Sequence, residues 1–355
     1  MYSLIQVRTL LKVFESMERQ FLKLIKSFFI FNEKMMRKLS DVRRTMKPKF
    51  ILIGGNGYYG RNYQYFLSSK GFEYVVIDKA KFLLGDDEII CDFSKADFRE
   101  VIEQLKTLKN FEILEKEYSN NSFVVNFAAI SFVDYSLEHP EETIENNYNC
   151  CVNGLKLCEY LNCPKYIYIS TDEVNVDKEE KNLSPYVVSK RKCEDFLKEH
   201  LTSKSESVDV SILRPVNLMG TMEAHSESLN QRNPCLLKKI ADVISSGEGI
   251  IQIHGSGNQR RMFMEMKIAC EVLHLLIFDA FDTKILDITE YPEFRTQNLR
   301  IKDIVIYLSK KYGFPYEYIQ DPRGIYQDDN YMTSLILREY NGSMKKIINS
   351  LKLMI

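Results

Sequence analysis

A tyrosine and a lysine lie four residues apart at the start of a helical pattern, in the segment Tyr186-Val-Val-Ser-Lys190. This spacing places Tyr186 and Lys190 one turn apart on one helix face. A tyrosine hydroxyl has an ordinary pKa near ~10, and a neighbouring cation favours its phenolate form. The pair therefore predicts a base for a substrate hydroxyl, with the pKa of Tyr186 lowered by Lys190. The alternative is a packed tyrosine beside a solvated lysine.

A hydroxyl and two carboxyls follow the apolar segment Lys165-Tyr-Ile-Tyr-Ile169, which is typical of a buried strand. Thr171 stands where its hydroxyl could share a substrate oxygen with the phenol of Tyr186. Asp172 and Glu173 supply two acid–base groups that simple oxidation of an alcohol would not require. For these two carboxyls, capping of a helix or solvation of a loop is the alternative interpretation.

A glycine-rich segment, Gly54-Gly-Asn-Gly57-Tyr-Tyr-Gly60, directly follows an apolar strand and opens a helical stretch. Its glycines permit a tight turn, close approach of the backbone to a pyrophosphate, and close helix–strand packing. The pyrophosphate would lie on the helix N-terminus, where N–H groups and the helix dipole favour anions. The next strand ends at Asp78, whose carboxylate can accept both ribose hydroxyls and disfavours a 2′-phosphate. The segment predicts a site for NAD rather than NADP; a glycine-rich turn without a ligand is the alternative.

The elements that would position these groups alternate along the chain from residue 47 onwards. Strands are predicted at 49–53, 74–77, 123–127, 165–169 and 208–213, and helices at about 60–70, 96–108, 138–161 and 186–203. This alternation indicates an α/β fold, a Rossmann-type doubly wound parallel sheet covered on both faces.

Two domains and an extension are predicted from these patterns. Residues 47–215 form the nucleotide-binding domain, and residues 216–355 form a smaller, mainly substrate-binding domain. The second domain carries a helix near 235–246, a strand at 250–253 and a return to the main sheet near 285–312. Residues 1–46 are predicted as a helical or disordered extension, or as untranslated sequence.

Composition narrows the class of protein. The 355 residues carry a net charge of −1, and no basic field of the kind that binds nucleic acid is present. The eight cysteines lack zinc-type spacing and the five histidines form no ligand cluster, so we expect reduced thiols, a cytoplasmic location and no metal. The apolar segment 21–31 is short and broken by lysines, so no membrane association is expected.

Together these segments resemble the extended short-chain dehydrogenase/reductase family of the NAD-dependent epimerase/dehydratase type, above all its nucleotide-sugar 4,6-dehydratases. The resemblance runs from about residue 49 to about residue 270, and Ser170-Thr-Asp-Glu-Val174 is its sharpest match. It implies NAD as cofactor, a nucleotide-diphosphate sugar as substrate, and a homodimer formed through the helices near 138–161 and 186–203. The implied cofactor-binding residues are Gly54, Gly57, Tyr58, Tyr59, Gly60, Asp78, Asp92, Phe127, Ala128, Ala129, Tyr186 and Lys190.

The resemblance also implies the substrate-binding residues. Ser131 and Asp134 lie in a segment that continues toward the sugar, although Asp134 could equally cap the helix near 138. Arg214-Pro-Val-Asn217 is similar to the family's Arg-x-x-Asn, with Asn217 near the substrate diphosphate. Arg261 is the implied phosphate ligand, with an ordinary surface charge as the alternative. Arg323 could replace a second phosphate-binding arginine, because Asn330 stands where that arginine is expected.

By the same resemblance, the reaction is dehydration of a dTDP- or UDP-glucose type of sugar. Tyr186 takes the C4 hydroxyl proton while hydride passes to NAD, and Thr171 holds the same oxygen. Glu173 removes the C5 proton, Asp172 protonates the departing C6 hydroxyl, and the hydride returns to C6. The segments before Asp92 and Tyr186 are shorter than in the dehydratases, so a 4-epimerase or reductase, or a nucleotide-sugar-binding protein without turnover, stays open.

Overall fold

The computed structural model describes residues 48–81, 88–108, 110–175, 183–202, 208–222, 236–281, 283–291, 297–320 and 346–349. All of them fall within the unit Pro48–Ile355. The predicted extension 1–46 and the predicted substrate ligand Arg323 lie outside the described residues.

A parallel β-sheet forms the centre of the protein and confirms the predicted α/β fold. Its strands among the described residues are β1 (Lys49–Ile53), β2 (Tyr74–Asp78), β3 (Glu88–Ile90), β4 (Ser122–Asn126), β5 (Lys165–Ile169), β6 (Asp209–Arg214) and β10 (Ile285–Asp287). They lie in the order β3-β2-β1-β4-β5-β6-β10, and every neighbouring pair is parallel. The strand order reverses between β1 and β4, which opens a crevice at their carboxyl ends, the usual ligand position in such sheets.

Helices pack on the main sheet and on the second core of the protein. They are α1 (Tyr58–Lys70), α2 (Phe98–Lys106), α3 (Phe111–Ile113, continued by the π-helical turn Leu114–Tyr118), α4 (Val133–Glu138), α5 (Pro140–Tyr160), α6 (Pro185–Thr202), α7 (Leu236–Ser246), α8 (Met266–Ile277) and α9 (Ile301–Tyr312). Neighbouring residues of β1 point to opposite faces of the sheet. Ile51 packs in the core with α2, α5 and α6, whereas Phe50 contacts Tyr63 of α1 and His274 of α8.

Residues beyond 215 build a second core around two smaller sheets. In the described residues, β9 (Arg260–Glu265) lies between β11 (Gln297–Arg300) and β7 (Asn217–Met219), and β8 (Ile251–His254) pairs with β12 (Tyr316–Ile319). Helices α7 and α9 contribute apolar side chains to this core. Strand β10 instead joins the main sheet beside β6, with Asp287 opposite Arg214.

Two elements near the site were not predicted. Helix α8 is apolar on nearly all sides and mostly buried, so its sequence lacks the one-sided pattern by which a helix is recognised. Strand β9 has the sequence RRMFME, in which two arginines obscure the alternation of a strand. In the part of the chain that is described, no helix is both long and apolar enough to cross a membrane.

Candidate active site

The glycine-rich turn joins β1 to α1 at the crevice. Gly54 has a φ of +69°, and a Cβ built there would lie 2.5 Å from the Cα and N atoms of Ala128. A Cβ on Gly60 would lie 2.5 Å from the carbonyl oxygen of Gly55. Helix α1 begins after Gly57 without a side-chain cap. Bare backbone and helix N–H groups therefore face the crevice, an arrangement that fits the pyrophosphate of a dinucleotide.

Gly54→Ala is expected to lower the free energy of unfolding by about 2–4 kcal/mol and to weaken NAD binding, because it adds overpacking to an unfavourable φ. Gly71→Ala is the matched control: Gly71 has a φ of +71° but no atom within 4 Å of its built Cβ. That control should lose only about 1–2 kcal/mol. Urea unfolding and calorimetric NAD titration measure both effects. Equal losses of stability in the two variants would show that a Cβ at position 54 does not clash with Ala128.

Asp78 lies at the end of β2 with its carboxylate beside the glycine-rich turn. Its Oδ2 accepts a hydrogen bond from the Asn56 N–H (3.0 Å), and its Oδ1 accepts one from the Ala80 N–H (3.2 Å). Burial raises the pKa of Asp78, and these backbone hydrogen bonds oppose the rise. The carboxylate is thus held at the position predicted to recognise a ribose. Asn56, which helps to fix it, was not among the predicted site residues.

Wild-type protein is expected to prefer NAD to NADP by at least about tenfold, because Asp78 would repel the 2′-phosphate. Asp78→Asn keeps an acceptor oxygen and removes the charge, so it should bring the two affinities closer together. Calorimetric titration of each dinucleotide measures the ratio. Equal affinities in the wild type would contradict the assigned role of Asp78.

The other predicted cofactor residues surround this turn, but several of their side chains contact protein. The hydroxyl of Tyr59 donates to the Ala269 carbonyl (2.7 Å), and its ring packs against Phe127 with centroids 5.3 Å apart. The hydroxyl of Tyr58 donates to the carbonyl of Gly220. Because both hydroxyls bond to protein, these two tyrosines would contact a cofactor through their backbone N–H groups.

Asp92 follows β3 and accepts two hydrogen bonds from Ser94, from its N–H (2.9 Å) and its hydroxyl (2.7 Å). Burial would raise the pKa of Asp92, but these hydrogen bonds outweigh it and lower the pKa. The carboxylate of Asp92 is thus oriented by its own turn.

Ala128 and Ala129 follow β4, and the N–H of Ala128 donates to the side-chain oxygen of Asn126 (2.9 Å).

The predicted catalytic residues come together after β5. Thr171 is buried and accepts a hydrogen bond from the Glu173 N–H (3.3 Å). The 3₁₀ turn Asp172–Asn175 begins there, with the Asp172 N–H donating to the Pro215 carbonyl (3.1 Å). The hydroxyl of Thr171 donates to Oδ1 of Asp172 (3.4 Å) and is close enough to Tyr186 to lower the pKa of its phenol. One phenol, one hydroxyl and two carboxyls therefore share one pocket wall.

The two carboxyls differ in their surroundings. Burial, and after it the charges of Glu173 and Asp287, raise the pKa of Asp172 to about 7, while Arg261 opposes the rise. Glu173 instead forms a long ion pair with Arg261, with 3.9 Å between Oε1 and Nε. At neutral pH one carboxyl is thus able to give a proton and the other stands beside a cation, a separation of roles typical of acid–base catalysis.

The direction predicted for the pKa of Tyr186 is wrong in the protein without ligands. Burial and the charges of Glu173 and Asp172 raise the pKa of Tyr186, and the hydrogen bond with Thr171 only partly opposes them. Lys190 does not reverse this, because its Nζ donates to the Ile169 carbonyl (2.7 Å) and lies 6.0 Å from the Tyr186 ring centroid. Burial also lowers the pKa of Lys190.

Asn147 fixes the helix that carries Tyr186. Its Oδ1 accepts from the Ile130 N–H (2.6 Å), and its Nδ2 donates to the Ile130 carbonyl (3.1 Å) and to the Ser189 hydroxyl (2.8 Å). Ser189 in turn donates to the carbonyl of Tyr186 (2.7 Å). This buried asparagine connects the segment after β4 to the first turn of α6.

The predicted substrate residues are spread around the pocket. Ser131 and Asp134 are exposed, and Asp134 lies inside α4 rather than capping the helix that begins at Pro140. Asn217 is exposed on β7, with its Nδ2 bonded to the Met262 carbonyl (3.2 Å). Among them, Arg261 contacts a catalytic residue, Glu173.

Three polar residues next to the catalytic turn were missed by the sequence interpretation. Asn175, Glu194 and Asp287 all bond to Arg214. No local pattern marks them, because they come from three distant segments of the chain. Arg214 at the end of a strand could have indicated them, because a guanidinium binds a carboxylate through two parallel hydrogen bonds.

The chain matches the family described as the NAD dependent epimerase/dehydratase family over residues 50–285. The protein belongs to this family. The family assignment confirms the predicted resemblance at this level and the predicted cofactor, NAD, to which the glycine-rich turn and Asp78 are fitted.

Individual relatives are more distant. The dTDP-D-glucose 4,6-dehydratase of Dictyostelium discoideum is 23% identical over 245 residues, which cover 61% of this chain and only 52% of that protein. The UDP-glucose 4-epimerase of Thermotoga maritima superposes with a TM-score of 0.64 and 16% identity, covering 86% of this chain and 97% of the other. The dTDP-glucose 4,6-dehydratase of Streptomyces venezuelae gives a TM-score of 0.60 and 17% identity, with 86% and 96% covered. At these identities the superpositions show a common fold.

Proposed function

We propose that this family member is a nucleotide-sugar 4,6-dehydratase acting on a dTDP- or UDP-glucose type of substrate. The observation that carries the proposal is the pair Asp172 and Glu173 beside Tyr186, in which Asp172 has a pKa of about 7. Oxidation and reduction at one sugar carbon need only a phenol and a hydroxyl. Elimination of water needs a base and an acid in addition, and the two carboxyls supply them.

The first step is proton removal from the sugar C4 hydroxyl. The hydroxyl of Thr171 lies close enough to the phenol of Tyr186 to affect its pKa, so a sugar hydroxyl placed between them would contact both. When bound, NAD would supply the hydride acceptor for C4 and the hydride donor for C6. The proton that Glu173 takes from C5 in the second step would return to C5 as the hydride reaches C6.

The second step is loss of water across C5 and C6. The C4 ketone acidifies the C5 proton, so Glu173 removes it under mild conditions. Asp172 protonates the departing C6 hydroxyl, which leaves as water. A pKa of about 7 keeps a substantial fraction of Asp172 protonated at neutral pH, which matches the acid to its task.

Arg261 is proposed to hold the substrate diphosphate, because a guanidinium binds phosphate oxygens through charge-assisted hydrogen bonds. Its contact with Glu173 supports a diphosphate site next to the catalytic turn. Asn217, Ser131 and Asp134 are proposed to line the rest of the sugar-nucleotide site. A cytoplasmic homodimer, formed through α5 and α6, completes the proposal.

Incubation of the NAD-loaded protein with a panel of UDP-, dTDP-, GDP- and CDP-hexoses, followed by mass spectrometry, tests the function. A dehydratase gives a product lighter by one water. An epimerase conserves the mass and changes the chromatographic position of the sugar. Binding of a nucleotide sugar without either change would mean that the protein is a binder, and the dehydratase proposal would fail.

A further inference from the structure

Arg214 at the end of β6 is the centre of a charge network that comprises Asn175, Glu194, Arg214 and Asp287. Its Nε and Nη2 atoms donate to the two oxygens of Glu194, at 2.9 and 2.5 Å. Its Nη1 donates to Oδ1 of Asn175 (2.8 Å) and to Oδ2 of Asp287 (3.5 Å). One guanidinium therefore bonds to three elements of the fold, α6, the catalytic turn and β10.

Glu194 connects this network to the start of the catalytic segment. It is 1% exposed and accepts a hydrogen bond from the hydroxyl of Ser170 (2.7 Å), the residue before Thr171. Burial alone would raise the pKa of Glu194, but the hydrogen bonds from Arg214 and Ser170 lower it. Glu194 is therefore ionised and accepts hydrogen bonds from both Arg214 and Ser170.

Asp287 connects the network to the end of the same segment. Asn175, the last residue of the turn Asp172–Asn175, donates its Nδ2 to Asp287. Asp287 is 2% exposed, and its other oxygen accepts from the N–H (2.9 Å) and hydroxyl (2.6 Å) of Thr289. Because Asp287 is fixed in this way, the exposed Asn175 is tied to the edge of the main sheet.

We propose that Arg214 and Asp287 are positioning residues: through Ser170 at one end and Asn175 at the other, they hold the catalytic turn in the place where Asp172 is half-buried. The inference rests on the role proposed above for Asp172 as the acid.

The ionisation of Asp172 reports on this arrangement. The groups that face Asp172 are Glu173 on its own turn, Asp287 at the end of β10, Arg261 on β9 and Tyr186 on α6. Burial and the charge of Asp287 both raise the pKa of Asp172. Loosening the turn reduces its burial, and neutralising Asp287 removes a like charge, so both changes should lower the pKa.

The test is a carbon-13 NMR titration of protein labelled at the aspartate carboxyl carbon, with the Asp172 signal assigned by its loss in Asp172→Asn. In Asp287→Asn and in Asn175→Ala, the Asp172 midpoint is expected to move to lower pH by roughly one unit. Asn175 is exposed, so Asn175→Ala removes its hydrogen bonds to Asp287 and Arg214 without opening the core. This variant therefore tests the inference even if Asp287→Asn does not fold. With dTDP-glucose, Asn175→Ala is also expected to lower kcat about tenfold to a hundredfold with KM changed within about twofold.

Asp279→Asn is the matched control, because Asp279 is also an ion-paired aspartate but contacts Lys165 (2.5 Å) at the opposite end of β5. It should leave the Asp172 midpoint unchanged. Unchanged midpoints in Asn175→Ala and in folded Asp287→Asn would overturn the inference. The titration needs no substrate, so it gives its answer even if no nucleotide sugar is dehydrated, in which case the proposed function alone fails.

Discussion

Tyr186→Phe is expected to lower turnover of the nucleotide sugar by about 10²–10⁴-fold, the range that a positioned acid–base group contributes. The phenol is the group next to Thr171 that can take the C4 hydroxyl proton, and phenylalanine preserves the ring and its packing. NAD affinity and the thermal midpoint should therefore change little. Single-turnover formation of the oxidised sugar, followed by mass spectrometry, measures the step directly.

The control for this substitution is Tyr160→Phe, which removes an exposed hydroxyl that donates to Glu115 (2.8 Å) at the end of α5. Its activity should equal that of the wild type. If Tyr186→Phe retains more than about a tenth of the wild-type rate, another group removes the proton and the assignment of Tyr186 fails.

Glu173→Gln is expected to slow water loss by about 10²–10⁴-fold, while oxidation at C4 continues. Tyr186 and Thr171 remain, and removal of the Glu173 charge should lower the pKa of Tyr186, because that charge contributes to its rise. Wild-type turnover in heavy water should place one deuterium at C5 of a product lighter by one water. The variant should accumulate oxidised sugar that keeps its C6 hydroxyl. Glu100→Gln, an exposed substitution on α2, serves as control.

Asp172→Asn tests the acid separately from the base. Because Asp172 has a pKa of about 7 and acts in its protonated form, wild-type water loss should slow as the pH rises through 7. The variant should be slow at all pH values and lack this dependence, while C4 oxidation is affected less. Equal dehydration by wild type, Glu173→Gln and Asp172→Asn would contradict the dehydratase proposal and favour an epimerase or a binder.

Local pattern was sufficient for the elements that carry the glycine-rich turn and the catalytic residues after β5, but not for β9, which carries Arg261. The apolar strands ending at Ile53 and Ile169 are nearly fully buried, and a run of such residues between polar segments has few other structures. The glycine positions were equally readable, since Gly54 needs a positive φ and tolerates no Cβ. Helix α8 was not readable, because burial on all sides removes the periodic signal.

The sequence by itself determined the α/β fold, the nucleotide-binding turn and the candidate set Thr171, Asp172, Glu173 and Tyr186, because each depends on spacing within a few residues. The tertiary structure alone decided how these groups are charged. Burial and the charges of two neighbouring carboxyls raise the pKa of Tyr186. Asp287 raises the pKa of Asp172, whereas Arg261 lowers it. Spacing along a chain specifies which side chains share a helix face or strand end, whereas burial and Coulomb interactions depend on segments that lie more than a hundred residues away in this chain.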